Sequence, residues 1–153
     1  MLQTERRIER LGLTLPEPPK PAAAYVPFIL TNDLVYISGQ GTTLGGKPRY
    51  TGRVGKDLTV EQGYEAAKVC ALNIISVLKS AVEDLDKIDR IVKVVGFINS
   101  AEGFEKQHLV LNGASELLQK AFGERGKHAR TAIGVSELPL NNAVVVELIA
   151  KVK

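Results

Sequence analysis

The residue best suited to binding a small anion is an arginine in the last quarter of the chain. Arg130 lies in the run 128–139, HARTAIGVSELP, where small and β-branched residues follow it. This pattern predicts a strand that begins at the arginine and ends in a turn at Pro139. Core packing does not explain an arginine at the start of a strand, whereas guanidinium offers a planar fork of donors that matches a carboxylate or phosphate. We therefore expect Arg130 to bind an anion. Taken alone, this arginine could equally form an ion pair on the surface.

The glycine-rich segment after residue 40 comes close to a phosphate-binding loop without completing it. The spacing from Gly41 to Gly46 and Lys47 matches that motif. Pro48 stands where a serine or threonine would hold magnesium, and the residues after it do not begin a helix. A flexible connecting loop is the interpretation we favour.

Metal and nucleophile chemistry are not indicated either. His108, His128 and Cys70 are scattered along the chain, so we expect no metal site. There is no Gly-x-Ser-x-Gly elbow, and the apolar neighbours of Cys70 indicate a buried thiol.

Composition and charge indicate an ordinary globular protein. The chain has 153 residues, of which 44% are hydrophobic and 24% charged, and its formal net charge is +3. It has no apolar run of the ~20 residues that cross a bilayer, and its start lacks the apolar core of a secretory signal. A single cysteine is typical of a reducing compartment, so we expect a cytoplasmic protein without a membrane partner. The densest basic segment has no interleaved aromatic residue apart from Phe122, so we expect no nucleic-acid partner.

The chain divides into an arm and one domain. Residues 1–24 form the predicted arm, with a short helix over 4–11 and four prolines between 16 and 21 that enforce an extended path. Residues 25–153 form the domain.

Hydrophobic periodicity predicts the order β-β-α-β-α-β-β in that domain. Thr59 and Gln62 form a capping box at the start of the first long helix. The expected strands and helices are 26–30, 34–38, a helix from 59, 88–99, a helix over 108–122, 131–135 and 143–152. This order predicts an α+β fold, one mixed sheet with two helices on one face.

Such a sheet leaves its other face uncovered. We expect Val94, Val144 and Val146 on that face, where association with further copies of the chain would bury them.

Several local motifs occur in the order found in one known family. They are Tyr25, Ser38-Gly39-Gln40, Asn112, Arg130 and Leu138-Pro139. On these residues the chain resembles the reactive-intermediate deaminase family, also called Rid or YjgF-like and labelled endoribonuclease L-PSP. The resemblance covers residues 21–153 and is nearest to a longer subgroup with a proline-rich N-terminal arm. It implies a chorismate-mutase-like fold, a homotrimeric barrel and ligand clefts between subunits.

The resemblance also implies roles for individual residues. Arg130 would hold the carboxylate of an enamine or imine acid, with Tyr25 closing the pocket as the second catalytic residue. The implied substrate-binding residues are Ser38, Gly39, Asn112, Arg130, Thr131 and Ala132. The reaction needs no cofactor, because an imine is already electrophilic.

Two positions depart from the family pattern. Val145 replaces the first glutamate of a Glu-x-Glu pair in the last strand, and Ala132 replaces a small thiol. The implied function is hydrolytic deamination of small 2-aminoacrylate-like acids to 2-keto acids. The alternative is a non-catalytic oligomer that binds small carboxylates. Ribonuclease activity is a third interpretation, but the sequence shows no histidine pair or acid/base couple suited to phosphodiester cleavage.

Overall fold

The structure is a computed structural model that describes residues 3–153, so the first two residues of the predicted arm lie outside the described part. The described helices are α1 (Gln3–Arg10), α2 (Val60–Val82) and α3 (Gln107–Phe122). The described strands are β1 (Phe28–Thr31), β2 (Leu34–Gln40), β3 (Thr43–Leu44), β4 (Lys47–Pro48), β5 (Ile88–Asn99), β6 (Ala129–Val135) and β7 (Val144–Val152). Within residues 3–153 no helix is both long and apolar enough to traverse a bilayer.

Five strands form one mixed sheet in the order β1-β2-β7-β5-β6. Strands β5 and β6 pair in parallel, because α3 connects them as a crossover, while the other neighbours pair antiparallel. Strand β1 lies at an edge, which suits Pro27 just before it since proline has no N–H for a ladder. The predicted α+β fold, with its order of strands and helices, is confirmed.

The two long helices pack side by side against one face of the sheet. The predicted capping box is present: Gln62 N–H donates to Thr59 Oγ1 at 3.1 Å, and Thr59 N–H donates to Gln62 Oε1 at 2.9 Å. The helices approach closely at Gly113, where a Cβ atom would lie 2.0 Å from the Tyr64 carbonyl oxygen. This contact fixes α3 over the sheet, and α3 in turn positions the side chains next to Arg130.

The assignment of valines to the open face of the sheet was wrong. Val94, Val144 and Val146 are each 0% exposed and face the helices. The open face instead carries their neighbours along the strands, among them Val95, Val145, Glu147 and Ile149. Strand side chains alternate between faces, and a run of consecutive valines is apolar in either register, so the pattern did not reveal which set meets the helices.

The glycine-rich segment is more ordered than expected. Strands β3 and β4 form a small hairpin whose turn residues, Gly45 and Gly46, have φ of 59° and 81°. Two successive positive φ values are those of a tight hairpin turn, which glycine adopts without strain. No helix follows Lys47, so the segment is not a phosphate-binding loop.

The N-terminal arm is fastened to the domain by a polar cluster and an apolar contact. Asp86 accepts hydrogen bonds from Gln3 N–H at 2.7 Å and from the Thr4 hydroxyl at 2.6 Å, thereby capping α1. Arg125 donates to the Thr4 hydroxyl at 2.8 Å and pairs with Asp86 at 3.4 Å. Ile8 is 3% exposed and joins the core.

We expect Asp86→Ala to release α1 and lower the free energy of unfolding by about 1–2 kcal/mol, since it removes a helix cap and an ion pair. Burial raises the pKa of Asp86, but hydrogen bonds from Thr4 and Gln3 and the charge of Arg125 outweigh it, so the pKa lies below its usual value. The carboxylate therefore contributes stability above its unfolded pKa of about 4, and this stability disappears as the pH falls through the lower folded value. Urea unfolding from pH 7 to pH 2.5 measures both effects.

The matched control is Glu9→Ala, which removes an exposed acid from α1 itself. We expect little change in stability for it. Equal urea midpoints for Asp86→Ala and wild type at pH 7 would contradict the assigned role of Asp86.

Candidate functional site

Arg130 lies near the start of the edge strand β6, with its side chain on the helix-covered side. It pairs with Val94 in the parallel ladder and so shares the face on which Val94 is buried. Its Nη2 donates to the His108 carbonyl at 2.9 Å, and its Nη1 donates to Ser115 Oγ at 3.2 Å, both in α3. The guanidinium is therefore held by α3 and partly shielded from solvent.

No acid in the described part of the chain neutralises this guanidinium. Among the salt bridges of residues 3–153, none involves Arg130. Burial lowers the pKa of Arg130, although guanidinium stays protonated in proteins at neutral pH. Of its five N–H groups two are engaged by α3, so three remain for a ligand. This arrangement suits the binding of a small anion.

A cleft of about 180 Å³ lies beyond the end of β2, in the half of the sheet that is away from β6. Tyr25, Gly39 and Val145 line it together with the turn Leu138–Leu140, and the arm contributes the segment Pro19–Ala22. A Cβ atom on Gly39 would lie 2.9 Å from Val145 Cγ1, so glycine leaves its backbone open to the cleft. Among the residues that line this cleft, Lys20 has a charged side chain and the others are neutral. None of the described residues that line the cleft therefore offers a carboxylate as an acid or base.

Tyr25 also borders a second cavity on the open face of the sheet. This cavity, of about 540 Å³, includes Ser38 and the side chains of Lys93 and Glu147. The Ser38 hydroxyl donates to the Val26 carbonyl at 2.6 Å, so it fixes the segment that carries Tyr25. Ser38 thus faces the open side of the sheet, next to the cleft that Gly39 lines.

The other predicted site residues lie nearer to Arg130 than to the cleft. Asn112 borders a groove between α2 and α3, beside Leu109 and Tyr64. Thr131 faces the open side of the sheet, where Lys93 Nζ lies 3.5 Å from its hydroxyl. Ala132 packs against the core. The predicted residues Asn112, Arg130, Thr131 and Ala132 form the arginine group. The predicted residues Tyr25, Ser38 and Gly39 form the cleft group together with Val145.

Arg130 and the cleft residues Gly39 and Val145 are too far apart in one protomer to contact the same small molecule. Strands β2 and β6 are separated by β7 and β5, so their backbones lie roughly 14 Å apart. Val145 pairs with Phe97 and Phe97 with Ile133, which places the cleft about 10 Å further along the sheet than Arg130. Val145 and Arg130 also lie on opposite faces. A site that uses both groups therefore needs a second protomer.

Sequence reasoning missed several residues of these surroundings. Ser115 lies 15 positions before Arg130, and its contact with the guanidinium follows only from the packing of α3 on β6. The proline-rich arm was expected to cover the domain, but no sequence pattern indicated that residues 19–22 would line the cleft.

Cys70 matches its predicted role as a buried thiol. It is 0% exposed and donates to the Val144 carbonyl at 3.3 Å. Burial raises the pKa of the Cys70 thiol, so it is protonated at neutral pH.

A family model described as "YjgF/chorismate_mutase-like, putative endoribonuclease" matches residues 5–152. The chain belongs to the YjgF family. This YjgF-family chain is 41% identical over 147 residues to protein TCP17 of Trypanosoma cruzi, with 94% of the chain and 91% of TCP17 aligned.

Two solved structures share the fold over nearly the whole YjgF-family chain. Protein Atu1372 from Agrobacterium tumefaciens, described as being of unknown function, is 43% identical with a TM-score of 0.92, covering 99% of this chain and 94% of that one. A protein from Shewanella oneidensis that is described as "a putative endoribonuclease" is 35% identical with a TM-score of 0.96. The match covers 98% of this chain and 99% of that one. The family assignment made from Tyr25, Ser38-Gly39-Gln40 and Arg130 is confirmed.

Proposed function

We propose that the protein hydrolyses small enamine or imine acids of the 2-aminoacrylate type to 2-keto acids and ammonia. The observation that carries this proposal is the Arg130 guanidinium, which is held by α3 yet has no acidic partner and keeps three free N–H groups. A carboxylate that accepts two of these hydrogen bonds would be bound and oriented in one step.

The chemistry requires little beyond binding and water. The enamine tautomerises to the imine, whose C=N carbon is electrophilic. Water adds to that carbon, the resulting carbinolamine loses ammonia as its C–N bond breaks, and a C=O bond forms. No electron acceptor or donor takes part, because the oxidation state of the substrate does not change on balance.

We propose further that the working site is shared between protomers of a homotrimer. Arg130 would come from one protomer, and Tyr25 with the backbone of Gly39 from its partner. The distance between Arg130 and the cleft within one protomer supports this arrangement, as do the apolar side chains, among them Val95 and Ile149, that stay uncovered on the open face of the sheet. We place the protein in the cytoplasm and treat residues 25–153 as a single domain.

A second function is favoured by Val145. The cleft lining contains no carboxylate, and an absent general acid or base commonly lowers a rate by about 10²–10⁴-fold. Without proton transfer, the same arginine would bind a small carboxylate metabolite and release it unchanged. This alternative is a carboxylate-binding protein without turnover.

One assay separates the two functions. A pyridoxal-phosphate-dependent dehydratase acting on serine generates fresh 2-aminoacrylate, and ammonia release is followed with and without the protein. We expect release faster than the spontaneous reaction, in proportion to protein concentration. If release stays at the spontaneous rate while calorimetry detects 2-ketobutyrate binding, the binding function replaces the enzyme. If neither release nor binding is detected, both assignments are wrong.

A further inference from the structure

We propose that Ser115 and His128 form a hydrogen-bonded relay that positions the Arg130 guanidinium. The ligand part of this inference rests on the function proposed above, whereas the relay itself is a property of the unliganded protein. Ser115 and His128 are positioning residues here, since each acts on a ligand through Arg130.

The direction of each hydrogen bond follows from its partners. His128 Nδ1 lies 2.6 Å from the Gly126 carbonyl, which can only accept, so Nδ1 carries the proton. In the neutral imidazole Nε2 is then the acceptor, and the Ser115 hydroxyl at 2.9 Å donates to it. The Ser115 oxygen directs its lone pairs toward Arg130 Nη1 at 3.2 Å. The three groups form one chain from the Gly126 carbonyl to the guanidinium.

The surroundings keep His128 in this neutral form. Burial lowers the pKa of His128, the Gly126 carbonyl partly opposes that shift, and the charge of Arg130 lowers it further. A protonated imidazole would direct a second N–H at Ser115 Oγ, which already accepts from Arg130, and would repel the guanidinium.

Neutral partners serve an anion site better than an acid would. A carboxylate beside Arg130 would orient the guanidinium but also neutralise it and compete for its N–H groups. The Ser115 hydroxyl and the His108 carbonyl fix the plane of the guanidinium and leave its charge intact. Ser115 is 6% exposed, which fits a positioning role and not that of a nucleophile.

The first test needs no ligand. Nitrogen-15 NMR reports the tautomer of a histidine, and separate guanidinium Nη signals report an arginine whose rotation is restricted. We expect the Nδ1–H tautomer for His128 and resolved Nη signals for Arg130 in wild type. In Ser115→Ala and His128→Leu the Arg130 signals should merge. Resolved signals in both variants would overturn the relay.

The second test measures the dissociation constant for 2-ketobutyrate by calorimetry. We expect Ser115→Ala and His128→Leu to weaken binding about five- to tenfold, the effect of losing one orienting hydrogen bond. His128→Gln places an amide oxygen near the former Nε2 and should restore affinity to within about threefold. In an Arg130→Ala background, Ser115→Ala should have no additional effect, because the group it positions is absent.

Ser80→Ala removes a hydroxyl in α2 that donates to the Val77 carbonyl, and it should leave binding unchanged. If wild type binds 2-ketobutyrate and the relay variants bind it equally well, the relay is wrong and the proposed function stands. If the NMR signals behave as expected but wild type binds no keto acid, the proposed function fails and the relay stands.

Discussion

Arg130→Ala should raise the dissociation constant for 2-ketobutyrate by about 100-fold or more and reduce ammonia release to the spontaneous rate. Two charge-assisted hydrogen bonds to the ligand carboxylate are lost, and such bonds contribute about 1.5–3 kcal/mol each. A factor of ten in affinity corresponds to about 1.4 kcal/mol, so two such bonds at about 1.5 kcal/mol each already exceed the roughly 2.8 kcal/mol of a 100-fold loss. Calorimetry with 2-ketobutyrate measures it directly.

Two further variants show whether the fork or the charge matters. Arg130→Lys keeps the charge but cannot reach Ser115, the His108 carbonyl and a carboxylate together, so its affinity should lie between those of wild type and Arg130→Ala. Arg49→Ala removes an exposed arginine next to β4 and should bind as wild type does. If Arg130→Ala binds 2-ketobutyrate as tightly as wild type and has the same melting temperature, the proposed site is wrong.

Val145→Glu should increase the rate constant for ammonia release by about 100-fold if the cleft is the place where water attacks. The substitution adds a carboxylate beside Gly39 in a lining whose charged side chain is Lys20. A general acid or base in a suitable position commonly contributes about 10²–10⁴-fold. Single-turnover measurements with fresh 2-aminoacrylate report this step without interference from product release.

Val145→Gln is the matched control, because it has nearly the same shape and cannot transfer a proton. It should release ammonia at the wild-type rate. If glutamate and glutamine give equal rates, proton transfer at position 145 does not limit the reaction. If wild type already matches the glutamate variant, another group activates the water.

Local sequence patterns were sufficient for most of the fold. The capping box at Thr59, the helix-free path of residues 16–21 and the strand over 88–99 each depend on neighbours within a few residues, and the structure shows all three. The face of the sheet that meets the helices was not predictable in this way. Val144, Val145 and Val146 are identical, and only long-range packing distinguishes the buried pair from the cleft residue between them.

The candidate site was predictable in its parts and not in its arrangement. Arg130 and Tyr25 were selected as candidates from residue type and order, and their roles in a site stay predictions. The contact of Arg130 with Ser115 depends on the rotation of α3, and the lining of the cleft by the arm depends on a segment more than 100 residues from Val145. Such relations arise from tertiary packing, for which local spacing carries no signal.

The placement of Arg130 and Tyr25 at different edges of one sheet has a genetic consequence. Arg130→Ala and Tyr25→Ala should each inactivate homogeneous protein, but for different reasons. When the two are co-expressed, some interfaces will combine an intact arginine group from one protomer with an intact cleft group from another. Hybrid assemblies should thus regain a fraction of wild-type turnover by intragenic complementation, which two lesions within a self-contained pocket would not allow.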